Sequence, residues 1–155
     1  MGVWPTDIGI MSNWLYISSE NGIDHVYLNY LTGQLGHMQR KSKLFDSMAF
    51  SVAPNSHGRL AFATGQEGVF LNSWLSRDEP RAESKLIDSP CIEIDWFDST
   101  LIAGLEESVV RCDFEKIPNK NDMYDEEFEA ALRRIKLSRP KTITQEDTIR
   151  SWVAG

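Results

Sequence analysis

Apolar positions fall in short runs separated by polar turns, and three stretches repeat the same order. The first holds Ile8-Gly9-Ile10-Met11, then Trp14-Leu15-Tyr16-Ile17, a turn at Glu20-Asn21-Gly22, and Val26-Tyr27-Leu28-Asn29. The second holds Met48-Ala49-Phe50-Ser51-Val52, a turn at residues 54–58, Arg59-Leu60-Ala61-Phe62-Ala63, a turn at Gly65-Gln66-Glu67-Gly68, and Val69-Phe70-Leu71-Asn72. The third holds Ile92-Glu93-Ile94-Asp95-Trp96, a turn at Asp98-Ser99, Thr100-Leu101-Ile102-Ala103, a turn at Glu106-Glu107-Ser108, and Val109-Val110-Arg111-Cys112. Each run is short, rich in β-branched and aromatic residues, and bounded by Gly, Asn, Asp or Ser, which predicts strands joined by tight turns. Leu15, Leu60 and Leu101 are 45 and 41 residues apart, and Val26, Val69 and Val109 are 43 and 40 apart, so one unit spans 40–45 residues. Unbroken apolarity at 60–63 and 101–103 predicts strands buried on both faces. A fourth strand per unit is expected at Lys43-Leu44-Phe45 and Ser84-Lys85-Leu86-Ile87-Asp88, just before the next unit begins.

A four-stranded antiparallel meander with this period resembles a blade of the β-propeller superfamily, the class that includes the WD40-like repeats. The resemblance covers roughly residues 7–115 and rests on period and strand order; the Gly-His and Trp-Asp pairs of the WD40 pattern are absent. The fold class expected is therefore mainly β with a C-terminal α-helical segment: three four-stranded propeller-like blades in an open arc, an antiparallel β-sandwich or barrel being the alternative. The resemblance also implies assembly, because closed propellers use about four to eight blades and each blade packs only on its neighbours. Three blades leave two apolar sheet faces to be covered. A homodimer closing a six-bladed ring, or another protein chain, is the expected partner.

The pattern changes near Asn121, dividing the chain into a β-repeat region, 1–117, and a helical C-terminal segment, 118–155. Met123, Phe128, Ala131, Leu132 and Ile135 recur at helical spacing and form one apolar stripe. Asp122, Asp125, Glu126, Glu127 and Glu129 open the helix and Arg133, Arg134 and Lys136 close it, which complements the macrodipole, and Glu129 with Arg133 adds an i,i+4 pair. Arg139-Pro140 ends it. Thr144 and Asp147 predict a second short helix whose Ile149, Trp152 and Val153 form a stripe. Phe128, Leu132, Ile135, Ile149 and Trp152 are the candidate interface residues, to be buried on the open blade face or on a partner subunit.

The 155 residues amount to about one domain by length, with 41% apolar and 25% charged residues, an ordinary globular composition. A balance of 16 Lys+Arg against 23 Asp+Glu, net −7, opposes binding to nucleic acid or an anionic membrane. The short basic stripe of Arg133, Arg134, Lys136, Arg139 and Lys141 lacks interleaved aromatics and is offset by neighbouring acids. No apolar run is long enough to span a bilayer and no secretory signal opens the chain, so a soluble, cytoplasmic protein is expected. Met1-Gly2 opens a short N-myristoylation pattern of little specificity.

Cys91 and Cys112 lie in predicted strands among apolar neighbours and read as small hydrophobes rather than nucleophiles. His25, His37 and His57 read as loop residues without metal-ligand spacing. Gly33-Gln34-Leu35-Gly36 and Gly65-Gln66-Glu67-Gly68 are too short for phosphate binding. No catalytic, metal or cofactor residues are assigned, and no cofactor is expected. The constellation that stands out is Glu20, Glu67 and Glu106, each in the turn between the second and third strand of its unit. On one rim these carboxylates would attract a basic partner. The function expected is a non-catalytic protein-interaction and assembly module. The alternative is a hydrolase or lyase with a carboxylate-lined site in the central channel of the assembled ring, with Asp95 and Asp98 as further candidate acids.

Overall fold

Each unit of the repeat becomes one antiparallel sheet with its strands in chain order. In the computed structural model, which describes residues 4–11, 14–27, 42–45, 47–55, 59–73 and 82–147, the first sheet holds β1 (Pro5–Met11), β2 (Trp14–Ser19), β3 (Gly22–Tyr27) and β4 (Ser42–Phe45). The second holds β5 (Ser51–Pro54), β6 (Arg59–Ala63), β7 (Val69–Ser73) and β8 (Ala82–Ile87). The third holds β9 (Glu93–Phe97), β10 (Thr100–Gly104) and β11 (Ser108–Asp113), and is completed by β12 (Thr142–Asp147) after the helix α1 (Asp125–Leu137). No strand of one sheet pairs with a strand of another among the described residues, so they form neither a closed barrel nor a two-layer sandwich but three separate layers. The tight turns use the expected residues. Gly68 sits at φ +92°, and a Cβ there would lie 2.0 Å from the Ile87 carbonyl oxygen, so no side chain fits without a backbone shift.

The repeat period reappears in the bonds between sheets. Thr6 Oγ1 donates to the Ala49 carbonyl (2.7 Å), 43 residues away, and the Val52 N–H donates to Asp7 Oδ2 (3.0 Å), 45 residues away. Between the second and third sheets, Trp96 Nε1–H donates to the Ala53 carbonyl (2.8 Å), again 43 residues apart. Partner numbers rise together along β1, β5 and β9, so these three first strands run side by side in one direction. Because every sheet is a meander, the turns between second and third strands all fall at the same end of the stack. Gly9 permits the closest approach: a Cβ there would lie 2.5 Å from Pro54 Cδ of the next sheet.

Two core layers separate the three sheets. Tyr16, Ile23, Val52, Leu60 and Phe62 fill the space between the first and second. Ala61, Ala63, Leu71, Ile94, Leu101, Ala103 and Cys112 fill the space between the second and third. Alternate residues of β6 point to opposite layers, and Leu60–Ala63 are buried as their apolarity predicts, with Arg59 buried beside them. Removing a large side chain such as Phe62 (1% exposed) from water contributes about 1.5–3 kcal/mol. The same expectation fails for 101–103. Leu101 and Ala103 are fully buried but Ile102 is 40% exposed, because among the described residues the third sheet has a neighbouring sheet on one face only.

The C-terminal segment needs a larger correction. α1 forms with most of its predicted stripe inward, Ile135 buried and Phe128, Ala131 and Leu132 half-buried, while Met123 lies before the helix in the turn that precedes it. Arg134 clamps it through two bonds to Glu115 (2.7 and 3.0 Å). Residues 142–147, however, are not the start of a second helix. They form β12, which pairs with β11 from Ser108↔Asp147 to Asp113↔Thr142. The capping pattern of Thr144 and Asp147 lost to the β-branched run Thr142-Ile143-Thr144 and the open hydrogen-bonding edge of β11. α1 is thus an insertion between the third and fourth strands of the third sheet, and the helical segment 118–155 is interrupted by strand. Ile149, Trp152 and Val153 lie outside the described residues, as do Gly2, residues 33–36, His37 and His57.

Candidate functional site

The turn-bearing end of the stack carries a groove of about 720 Å³ between the second and third sheets. One wall is the β6–β7 turn with Gln66 and Glu67, and the other is the β10–β11 turn with Leu105 and Glu106. Between them run the connection into β9, with Pro90, Cys91 and Ile92, and the connection into β5, with Met48 and Phe50. Paired bonds fix this floor: the Gly65 N–H donates to the Cys91 carbonyl (2.8 Å) and the Cys91 N–H to the Gly65 carbonyl (2.9 Å). Thr64 ties its own turn through Oγ1 to the Gly68 carbonyl (2.9 Å). Met48 and Ile92 remain 43% and 60% exposed, so the groove presents apolar side chains to solvent. Met48 is expected within the first strand of its unit; the strand starts at Ser51 instead, leaving Met48 in the connection.

All three rim carboxylates lie where the register puts them, in second-to-third-strand turns at one end of the stack. The structure brings Glu67 and Glu106, both exposed, to opposite walls of one groove. Glu20, also exposed, lies in the β2–β3 turn at the same end but does not line this groove. Asp95 is exposed and accepts the Trp96 N–H (2.9 Å), and Asp98, at φ 55°, forms the β9–β10 turn with Lys116 3.7 Å away. Neither joins the groove.

Cys112 lies in β11 as expected, whereas Cys91 lies outside a strand, in the connection into β9, paired with Gly65. Cys91 and Cys112 are buried and unbridged. Burial pushes both thiols up, Cys112 to about 11, which suppresses the thiolate. His25 departs from expectation: it is 4% exposed within β3, edge-on to Trp14 at 4.6 Å, a core residue rather than a loop residue. Of the basic stripe, Arg134 is committed to Glu115, whose carboxyl that bond holds below the usual carboxylate range. Among the described residues no three His, Cys, Asp or Glu side chains gather as a metal site.

Two residues carry geometry that periodicity does not flag. Asp7 crosses between sheets, accepting Ser51 Oγ–H (3.1 Å) and the Val52 N–H at the unpaired edge of β5. Arg59, 3% exposed, lays its guanidinium 4.5 Å from the centre of the Phe114 ring and donates from Nη2 to the Ser138 carbonyl (3.5 Å) and Oγ (3.4 Å) beyond the end of α1. Its Nε is buried without a hydrogen-bond partner, and burial lowers its pKa to about 10. An arginine among apolar strand positions signals snorkelling or a helix-end contact, but not which helix.

The outer faces of the stack differ. On the first sheet Ile8 and Ile10 of β1 are 54% and 61% exposed on the side away from the core, while their neighbours on that side, Leu15 and Val26, are buried. On the third sheet the outward positions include Asp95, Phe97, Ile102 and Arg111, apolar and charged residues interleaved. No helix of the described residues is long and apolar enough to cross a membrane.

No family model matches the chain, and no curated protein matches it in sequence. Among solved structures, the crystal structure of Myxococcus xanthus glutaminyl cyclase is similar, with a TM-score of 0.50 at 14% sequence identity over 72% of this chain. The chain spans 46% of the length of that structure. At this identity the likeness is one of fold, in keeping with layered antiparallel sheets of mainly β character.

Proposed function

We propose that the protein is a propeller-like assembly module whose three sheets act as blades and whose outer faces are completed by a second copy. The observation that carries the reading is the exposure of Ile8 and Ile10 along β1, whose counterpart β5 in the second unit is buried from Ser51 to Ala53. Repeat proteins bury such faces by stacking the next unit on them, and an uncovered one marks an interface. The outward face of the third sheet, with Phe97 77% and Ile102 40% exposed, offers apolar surface at the opposite end of the stack. Two copies joined first sheet to third sheet at both contacts would close a symmetric ring of six blades. The similarity to a glutaminyl cyclase supports the layered fold and carries no activity to this chain.

Size-exclusion chromatography with light scattering tests the proposal. The expected mass is twice 17.7 kDa, falling to one chain in the I8D/I10D variant with an unchanged circular-dichroism spectrum. A wild-type protein that stays monomeric from micromolar to millimolar concentration overturns it.

A further inference from the structure

We infer that the groove between the β6–β7 and β10–β11 turns binds an extended peptide segment that alternates apolar and cationic side chains. The groove is built within one chain, so the inference is independent of ring closure.

Three features converge on this occupant. The surface between the walls is apolar and partly uncovered, with Met48 and Ile92 in solvent and Phe50, Pro90 and Leu105 beside them. Ligand sites are commonly concave and mostly apolar, of about 300–1,000 Å³, with a few polar groups fixing orientation. The charged groups here are one carboxylate on each wall, Glu67 and Glu106, both exposed and able to turn toward a ligand, beside the neutral Ser47, Thr64 and Gln66. Among the described residues no cationic side chain lines the groove, and the chain as a whole carries −7, so both the local and the long-range field favour a cation and repel an acidic segment.

The floor is also rigid. The Gly65–Cys91 bond pair closes the base, and Gly65 itself, at φ +80°, has no room for a Cβ, which would meet Phe50 Cε2 at 2.7 Å. Walls held on ordered turns make a preformed site, which lowers the entropic cost of binding. An extended peptide places alternate side chains on opposite sides, so apolar residues can face the floor while the cations between them reach the wall carboxylates.

The test uses a fluorescein-labelled, acetylated hexapeptide of alternating leucine and lysine, followed by anisotropy. Its counterpart alternates leucine and glutamate. The basic peptide is expected to bind and the acidic one not. E67Q/E106Q weakens binding roughly five- to ten-fold. E126Q/E127Q, which removes the same charge from exposed positions on α1, changes it by less than about two-fold. M48S/I92S alters side chains already partly in solvent and also weakens binding. All affinities are repeated on the I8D/I10D background, where a retained response separates this site from ring closure. Equal losses in the two charge variants, equal binding of the acidic peptide, or no saturable binding of the basic peptide would each overturn the inference.

Discussion

Replacing Arg59 distinguishes its packing from its charge. The side chain joins β6 to the end of α1, and its guanidinium lies on Phe114 in a site from which water is excluded. Burial lowers its pKa to about 10, a depression equivalent to about 3 kcal/mol against the charged form in the folded state. Set against that cost are a desolvated cation–π contact of about 2 kcal/mol and two long bonds to Ser138 at 3.4 and 3.5 Å, at the weak limit of hydrogen bonding. The charge is therefore close to neutral in net effect, while the aliphatic stem contributes packing. R59M keeps the stem and removes both the charge and the orphan Nε, so its unfolding free energy should lie within about 1 kcal/mol of wild type. R59A leaves a cavity against Phe114 and should lose about 2–4 kcal/mol.

Urea unfolding followed by tryptophan fluorescence measures both. The pH dependence supplies a second check. Arg59 has a folded-state pKa below its unfolded one, so its desolvation cost is constant below about pH 10 and is relieved as pH rises above that value. The stability of wild type relative to R59M should then increase above pH 10. If R59M is as destabilised as R59A, the charge itself holds the sheet to the helix and the argument from desolvation is wrong.

The neighbouring residues Leu101 and Ile102 test the single-sided burial of the third sheet. L101A, at a fully buried position, should cost about 2–5 kcal/mol, whereas I102A, at a position 40% exposed, should cost under about 1.5 kcal/mol in the monomeric I8D/I10D background. Equal costs in chemical denaturation would mean that the outer face of the third sheet is covered within one chain. Cys91 and Cys112, buried with raised pKa values, should resist a thiol reagent at pH 8 in the native state and react at once in 6 M guanidinium; rapid native labelling would contradict their placement in the core.

The strands, their turns and the 40–45-residue period were legible in the sequence because they rest on local chemistry: β-branched runs, turn residues and the spacing of equivalent leucines and valines. The same period placed Glu20, Glu67 and Glu106 in equivalent turns, and the stripe of Phe128, Leu132 and Ile135 marked the inward side of α1. Tertiary structure decided what depends on neighbours. Residues 142–147 are a strand because β11 offers an unpaired edge, a fact 29 residues away in the pairing of Asp113 with Thr142. His25 is core because Trp14 and Tyr16 stand beside it. Ile102 is exposed, though its apolar run matches that of β6, because burial on the second face requires another layer. Glu67 and Glu106 share a groove while Glu20 does not, since a groove is a property of two adjoining sheets. Periodicity reports which residues are equivalent along the chain; only packing determines which of those equivalents have a neighbour, and hence which faces remain available for a partner.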